Sequence, residues 1–318
     1  MNIKILSHIM PWDIDYALLM FTQLKKSKYY LPEDANITLD IELNLTSYLY
    51  NWEESKLSKD FFIDKFNDLL LLLKDYKVNT FIYEGNELYG HLDHQKKIIS
   101  KETDYYIIIC PDTYFSEYAL TYMIEATKQI KNKYAVITPQ VSKVGDADWD
   151  KIVNPKYLNI PYNDYLKTDV FDIRFNNKHD GQEIQLEALP KSKFAGWFDL
   201  YSKAFYEELC PVQDDWKGYG PWDYYSMMIS DFSKNQGLDF QQYVLRGETI
   251  WMYPSGPLLE NGANGFTQYY RDRLKTNDVP NQRKTFESNM SEYINKGIEI
   301  LKEKKLINKN VYVKFVPK

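Results

Sequence analysis

Two carboxylates stand where this chain most readily places chemistry. Asp223 closes the run Gly218-Tyr219-Gly220-Pro221-Trp222-Asp223, a glycine-aromatic-glycine loop that delivers an acid into the first turn of a helix starting near Tyr224. It comes after Phe194-Ala195-Gly196-Trp197-Phe198-Asp199-Leu200-Tyr201, an apolar strand, and a short helix. An acid set among rings in this way is suited to take a proton from a hydroxyl, and strand, helix and loop together build the kind of floor on which a sugar acceptor sits. Asp112 is the second carboxylate. It ends Tyr105-Tyr106-Ile107-Ile108-Ile109-Cys110-Pro111-Asp112, a continuous apolar strand suited to a sheet centre covered on both faces. In open α/β sheets the carboxyl ends of strands face the ligand crevice, and a hard cation bridging two phosphates takes oxygen ligands there. The structural alternative for Asp112 is an N-cap of the helix that follows.

Other groups compete for the same roles. Asp146-Ala147-Asp148 is a literal Asp-x-Asp, but it follows Gly145 in a polar stretch rather than closing an apolar strand. His91 and His94, with Asp93 between them, have the one-turn spacing of a zinc pair, but the sequence shows no third ligand for them. Neither a Gly-x-Gly-x-x-Gly after the first strand nor a Walker loop is present, and there is no serine nucleophile elbow. Dinucleotide enzymes, P-loop kinases and α/β-hydrolases therefore have no support.

The elements that must position these residues alternate along the first half, as in an α/β sheet with crossover helices. Strands are predicted at 3–6, 37–45, 80–83, 105–110 and 134–138, and helices at 16–25, 61–73, 88–99 and 115–130. Residues 141–192 are polar and irregular, with a strand expected near 170–175. Order returns at Lys193 and continues through the helix from Tyr224, a strand near 240–245, a glycine-rich segment at 256–265 and a helix over about 285–304.

A chain of 318 residues can bury a large core, and 44% hydrophobic with 26% charged residues is ordinary for a globular protein. The net charge of -6, from 45 acidic and 39 basic residues with no long basic block, argues against nucleic acid as the main partner. Cys110 and Cys210 suggest neither a disulfide framework nor a zinc knuckle, so a reducing, cytoplasmic compartment is expected. The apolar core of the N-terminus is too short for a signal peptide, and no run reaches the roughly 18 apolar residues of a membrane span. The 28 tyrosines fit a compositional bias that raises Tyr, Lys, Asn and Ile together better than they fit sugar stacking.

In element order and in its two carboxylate motifs, the chain resembles the GT-A fold of nucleotide-sugar-dependent glycosyltransferases, in pattern the family 2 and β-1,4-galactosyltransferase-like enzymes. Those families carry an Asp-x-Asp where this chain has Cys110-Pro111-Asp112, and a Gly-Trp-Gly-x-Glu-Asp type loop where it has residues 218–223. The resemblance implies an α/β fold, a central mixed sheet flanked by helices. It implies a catalytic domain over 1–255, divided into a nucleotide-sugar-binding half (1–140), an irregular insertion (141–192) and an acceptor-binding half (193–255), with a C-terminal extension over 256–318. By the same resemblance Asp112 holds Mn²⁺ or Mg²⁺, and Asp223 is the base of an inverting transfer. Ser7, His8, Asn86, His91, Cys110 and Asp112 contact a UDP- or GDP-linked donor, and Gly196, Trp197, Tyr219, Gly220 and Trp222 contact a carbohydrate or glycoconjugate acceptor. The chain departs from the pattern at Cys110 and Trp222, which replace acids, and its end offers no histidine, leaving Glu248 or water for the metal. Two alternatives follow from those departures and from the pattern: an inactive carbohydrate-binding scaffold, and a phage-type glycosyltransferase acting on modified nucleic acid.

Overall fold

The computed structural model describes residues 1–48, 52, 53, 55, 57–87, 89–141, 185–192, 198–214, 216, 222–252 and 279–310. The first half is a strand-helix succession. β1 (Asn2–Ile9) leads into α1 (Ile14–Ser27), β2 (Asn36–Asn44) into α2 (Lys59–Leu70), and β3 (Lys77–Tyr83) into the short α3 (His91–Lys97). β4 (Tyr105–Ile109), β5 (Thr113–Tyr114), α4 (Ala119–Thr127) and β6 (Tyr134–Val141) follow. Then come β7 (Gln185–Ala188), β8 (Phe198–Ser202), α5 (Trp222–Asn235), β9 (Phe240–Met252) and α6 (Val279–Glu303).

These strands make one mixed sheet in the order β3-β2-β1-β4-β8-β6-β9-β5, with β7 also paired to β9. β3, β2, β1 and β4 run parallel, so their carboxyl ends share one edge of the molecule. β8 enters antiparallel between β4 and β6. The expected α/β architecture, a central mixed sheet flanked by helices, is the one observed.

Period-two alternation sends neighbouring residues to different cores. Ile5, Ile107, Ile137 and Leu200 join one cluster with Met20, Phe21, Phe62, Phe66 and Met123 of α1, α2 and α4. Leu6, Tyr106, Val136 and Tyr201 join the other, with Leu92, Trp222, Tyr225 and Ile298 of α3, α5 and α6. The helices present matching stripes. In α1 Ala17, Met20, Phe21 and Leu24 are buried at helical spacing, and α2 starts at Ser58, whose hydroxyl accepts the Phe61 amide at 3.2 Å. Each such side chain stabilises the fold by about 1.5–3 kcal/mol on burial. Gly297 of α6 lies against Tyr225 of α5 so closely that a Cβ there would overlap the phenol, so a glycine sets the approach of the two helices.

Several boundaries differ from expectation. The helix expected over 88–99 begins only at His91, where Gly90 is the N-cap and donates its amide to Asp93 at 3.0 Å. The helix expected over 115–130 is shorter because Thr113 and Tyr114 pair with Met252 and Trp251 as a strand, and Phe115 is stacked on Phe198 at 4.8 Å. The N-cap of α4 is Tyr118, so the capping alternative for Asp112 does not hold. β9 runs well beyond 245 for the same reason: β5 and β6 both pair with its second half. The expected strand at 170–175 and the glycine-rich segment at 256–265 lie outside the described residues. No helix among the described residues is long and apolar enough to cross a membrane.

Candidate active site

At the carboxyl end of β4 the chain turns sharply, the Thr113 amide donating to Cys110 O at 3.1 Å, and Asp112 sits in that turn, partly buried. β1 runs alongside, Leu6 paired with Ile108, and the Ser7 hydroxyl donates to Ile109 O at 2.9 Å. The segment after β1 therefore emerges beside the Asp112 turn. It carries Asp13, 8% exposed, in the helical turn Pro11–Asp13. Burial pushes the Asp112 carboxyl up to about 7. Burial also raises Asp13 well above the usual carboxylate range, and the charge of Asp112 raises it further. Among the described residues no lysine or arginine forms an ion pair with either acid. Two carboxylates that lose water and gain each other as neighbours are a place where a divalent cation is electrostatically favoured.

A third acid lies nearby in the fold's logic. Pro139 pairs with Leu245 and Gln140 with Thr249, so Arg246, Gly247 and Glu248 have no counterpart on β6. Such bulges re-aim side chains. Glu248 is 1% exposed, and burial pushes it up to about 7 against a lowering contact with Ser116, just past β5. Sequence reasoning reached Glu248 only as an alternative and missed Asp13 altogether. The signal for Asp13 was its place directly after the first strand; for Glu248 it was the glycine before it in a strand.

Ser7 and His8 project to opposite sides of β1. The Ser7 hydroxyl lies 3.6 Å from Met20 Sδ of α1, whereas His8 faces α3. There Nδ1 of His8 lies 3.0 Å from Glu42 Oε2, and His94 Nδ1 lies 4.0 Å from the same oxygen. Tyr89 donates to Glu42 Oε1 at 2.6 Å, and Lys97 Nζ is 3.7 Å from that atom. Burial alone would raise Glu42, but the hydrogen bond and charge of His8, the charge of His94 and the Tyr89 hydroxyl outweigh it and hold the carboxyl below its usual range. Burial lowers His94 to about 4 and His91 to about 3. Of the histidine pair read in the sequence, His94 meets two further candidate ligands, His8 from β1 and Glu42 from β2, and His91 is not one of the three.

Of the expected donor residues, Cys110 and Asp112 share the β4 turn, Ser7 is tied to it, His8 joins Glu42 and His94, His91 opens α3, and Asn86 is exposed in the loop after β3. Trp222 requires a correction. Its indole is 1% exposed, donates Nε1–H to Cys210 O at 2.9 Å, and meets Tyr201, Phe205 and Tyr206 edge-on. A ring enclosed in this way packs the core and presents no face to an acceptor. Asp223 begins α5, its side chain outside the described residues; Gly196, Trp197, Tyr219, Gly220 and the Asp146–Asp148 stretch are outside them entirely.

No family model matches the chain, and no curated protein does. Solved structures do show likeness. A fragment of S. aureus TarS, residues 1–349, is 10% identical with a TM-score of 0.45 over 95% of this chain and 72% of that one, and the same fragment has been solved with UDP-GlcNAc. GalNAc-T7 with UDP, GalNAc and Mn²⁺ is 12% identical, TM-score 0.45, over 82% of this chain and 46% of its own. HddC from Yersinia pseudotuberculosis is 12% identical, TM-score 0.41, over 83% and 99%.

Proposed function

We propose that the chain is a glycosyltransferase of the GT-A type that moves a sugar from a UDP- or GDP-linked donor to an acceptor hydroxyl with inversion. The observation that carries this reading is the pairing of partly buried Asp112, in the turn after β4, with buried Asp13, in the helical turn after the adjacent parallel strand β1. Their oxygens suit a hard cation, and Asp13 supplies a carboxylate that Cys110 cannot. Asp112 and Asp13 would hold Mn²⁺ or Mg²⁺, which when bound supplies positive charge against the departing diphosphate. Ser7, by locking β1 to Ile109, keeps the two acids in register. Asp223, at the start of α5, would take the acceptor proton, with Trp197 and Tyr219 bordering the acceptor and excluding water. Cys110 and Cys210 are both free thiols, which supports a reducing, cytoplasmic setting.

The acceptor is read as carbohydrate or glycoconjugate, and the domain as residues 1–255. An inactive scaffold is favoured by the Cys110 and Trp222 departures, and the presence of Asp13 weakens it at the metal. Calorimetric titration of UDP and GDP sugars with and without Mn²⁺ tests the reading. The parent should bind one of them only with the cation, and Asp112→Asn should lose that binding while remaining folded. Equal affinity in parent and variant would remove Asp112 from the site.

A further inference from the structure

We propose that His8, Glu42 and His94 form a second cation site, for a borderline divalent metal ion of the zinc class, which fastens α3 to the ends of β1 and β2. The three ligand atoms lie within 4.8 Å of one another. Tetrahedral zinc with bonds of about 2.0–2.1 Å to nitrogen and oxygen sets its ligands about 3.3 Å apart. The 3.0 Å and 4.0 Å separations of the two imidazole Nδ1 atoms from Glu42 Oε2 bracket that value, so small rotations of the rings close the site.

The surroundings have the organisation that metal ligands require. Glu42 Oε1 is held by the Tyr89 hydroxyl and faces Lys97, which leaves Oε2 directed at the two rings. Outer partners of this kind fix the orientation of a ligand. All three side chains are nearly inaccessible, at 7%, 1% and 1% exposure, and His94 Nε2 is buried with no hydrogen-bond partner among the described residues. His94 Nδ1 stands 4.0 Å from Glu42 Oε2, too far for a hydrogen bond to the acid it faces, and a metal ion between the two would supply that interaction while leaving the ring proton on Nε2. Water would complete the coordination.

Asn44 is oriented by the Thr46 amide on Oδ1 at 3.0 Å and by Tyr89 O on Nδ2 at 2.8 Å, so its amide nitrogen faces His8 Nε2 at 3.3 Å and Nδ1 is the ring nitrogen turned to Glu42, at 3.0 Å. A metal ion on Nδ1 would leave the ring proton on Nε2, so its entry would displace the contact with Asn44. Two nitrogens and one carboxylate oxygen favour zinc over magnesium, whereas the all-oxygen set at Asp112 favours the harder ions. The two sites are thus separable by metal, and the inference does not depend on the nucleotide-sugar reading.

The test uses tag-free, full-length protein dialysed against EDTA and then titrated with Co²⁺, whose visible absorption reports nitrogen-containing low-coordinate sites, with Zn²⁺ as competitor. One equivalent of Co²⁺ should develop visible bands that one equivalent of Zn²⁺ abolishes. Asp112→Asn should keep the bands; Glu42→Gln and His94→Gln, each checked for folding by circular dichroism, should weaken Co²⁺ binding by about 10- to 100-fold or more. Absence of a one-equivalent site in the parent, bands unchanged in both folded cluster variants, or bands lost in Asp112→Asn each overturns the proposal. His94→Ala serves as the second cavity variant should His94→Gln not fold.

Discussion

Two carboxylates at the same edge of the sheet, Asp112 after β4 and Glu42 near the end of β2, are treated in opposite ways. Asp112 meets another acid, Asp13, and burial holds both toward their neutral forms. Glu42 is more deeply enclosed, yet it stays ionised because an imidazole, a phenol and an ammonium group converge on it. Burial alone therefore does not decide the charge of a buried acid; the partners do. An acid whose neighbours are acids is suited to a hard cation from outside the chain, whereas an acid set among imidazoles ties elements together, here β1, β2 and α3, and is suited to the softer ion proposed above.

The largest expected effect lies outside both clusters. Asp223→Asn should lower turnover by about 10² to 10⁴ with donor affinity nearly unchanged, the signature of a lost general base. Steady-state kinetics with a competent acceptor reads this, and a parallel fall in donor affinity would move Asp223 to the donor side.

Asp112 and Glu42 should next differ in the sign of their pH dependence. Burial pushes the carboxyl of Asp112 up to about 7 in the folded protein, from about 3.9 for a solvated aspartate. On raising the pH the unfolded chain ionises first, so this group's contribution to stability is fully present below about pH 4 and is lost as pH rises towards about 7. In metal-free protein Asp112→Asn should recover part of that loss, at most about 4 kcal/mol at pH 8, and almost nothing at pH 4. Urea unfolding in EDTA at the two pH values measures it. A variant with the parent's pH slope would mean that Asp112 is well solvated.

Glu42 runs the other way. Its folded pKa lies below the usual glutamate range, so it contributes stability above that range and loses it as pH falls through the lower folded pKa. Glu42→Gln should cost about 1.5–3 kcal/mol at neutral pH, the range for hydrogen bonds to a charged group, and less in strong acid. If the variant is as stable as the parent at pH 7 without metal, the pairing seen around Glu42 is not holding the elements together.

The sheet was legible in the sequence because apolar runs such as Ile107-Ile108-Ile109 and the alternation in residues 37–45 are local signals of burial. Asp112 was legible for the same reason, since the end of an apolar strand can be read from the strand itself. Element ends were less so. Thr113 and Tyr114 are a strand because Trp251 and Met252 lie beside them, and no local pattern records a partner more than a hundred residues away. Trp222 reads as a loop ring next to glycines, but the packing of Tyr201, Phe205 and Tyr206 makes it core.

By itself, then, the sequence determined the α/β class, the succession of strands and helices through the first half, and the placing of one acid just after the carboxyl end of an apolar strand, all of which follow from short-range periodicity and from the way a parallel sheet is covered. Only the tertiary structure decided which acids and histidines meet. Asp13 comes to Asp112 through the pairing of β1 with β4, Glu248 is turned by a bulge opposite β6, and His8 and Glu42 reach His94 across two strands and a helix. The physical reason is that electrostatic coupling acts over a few ångströms in space, whatever the separation along the chain.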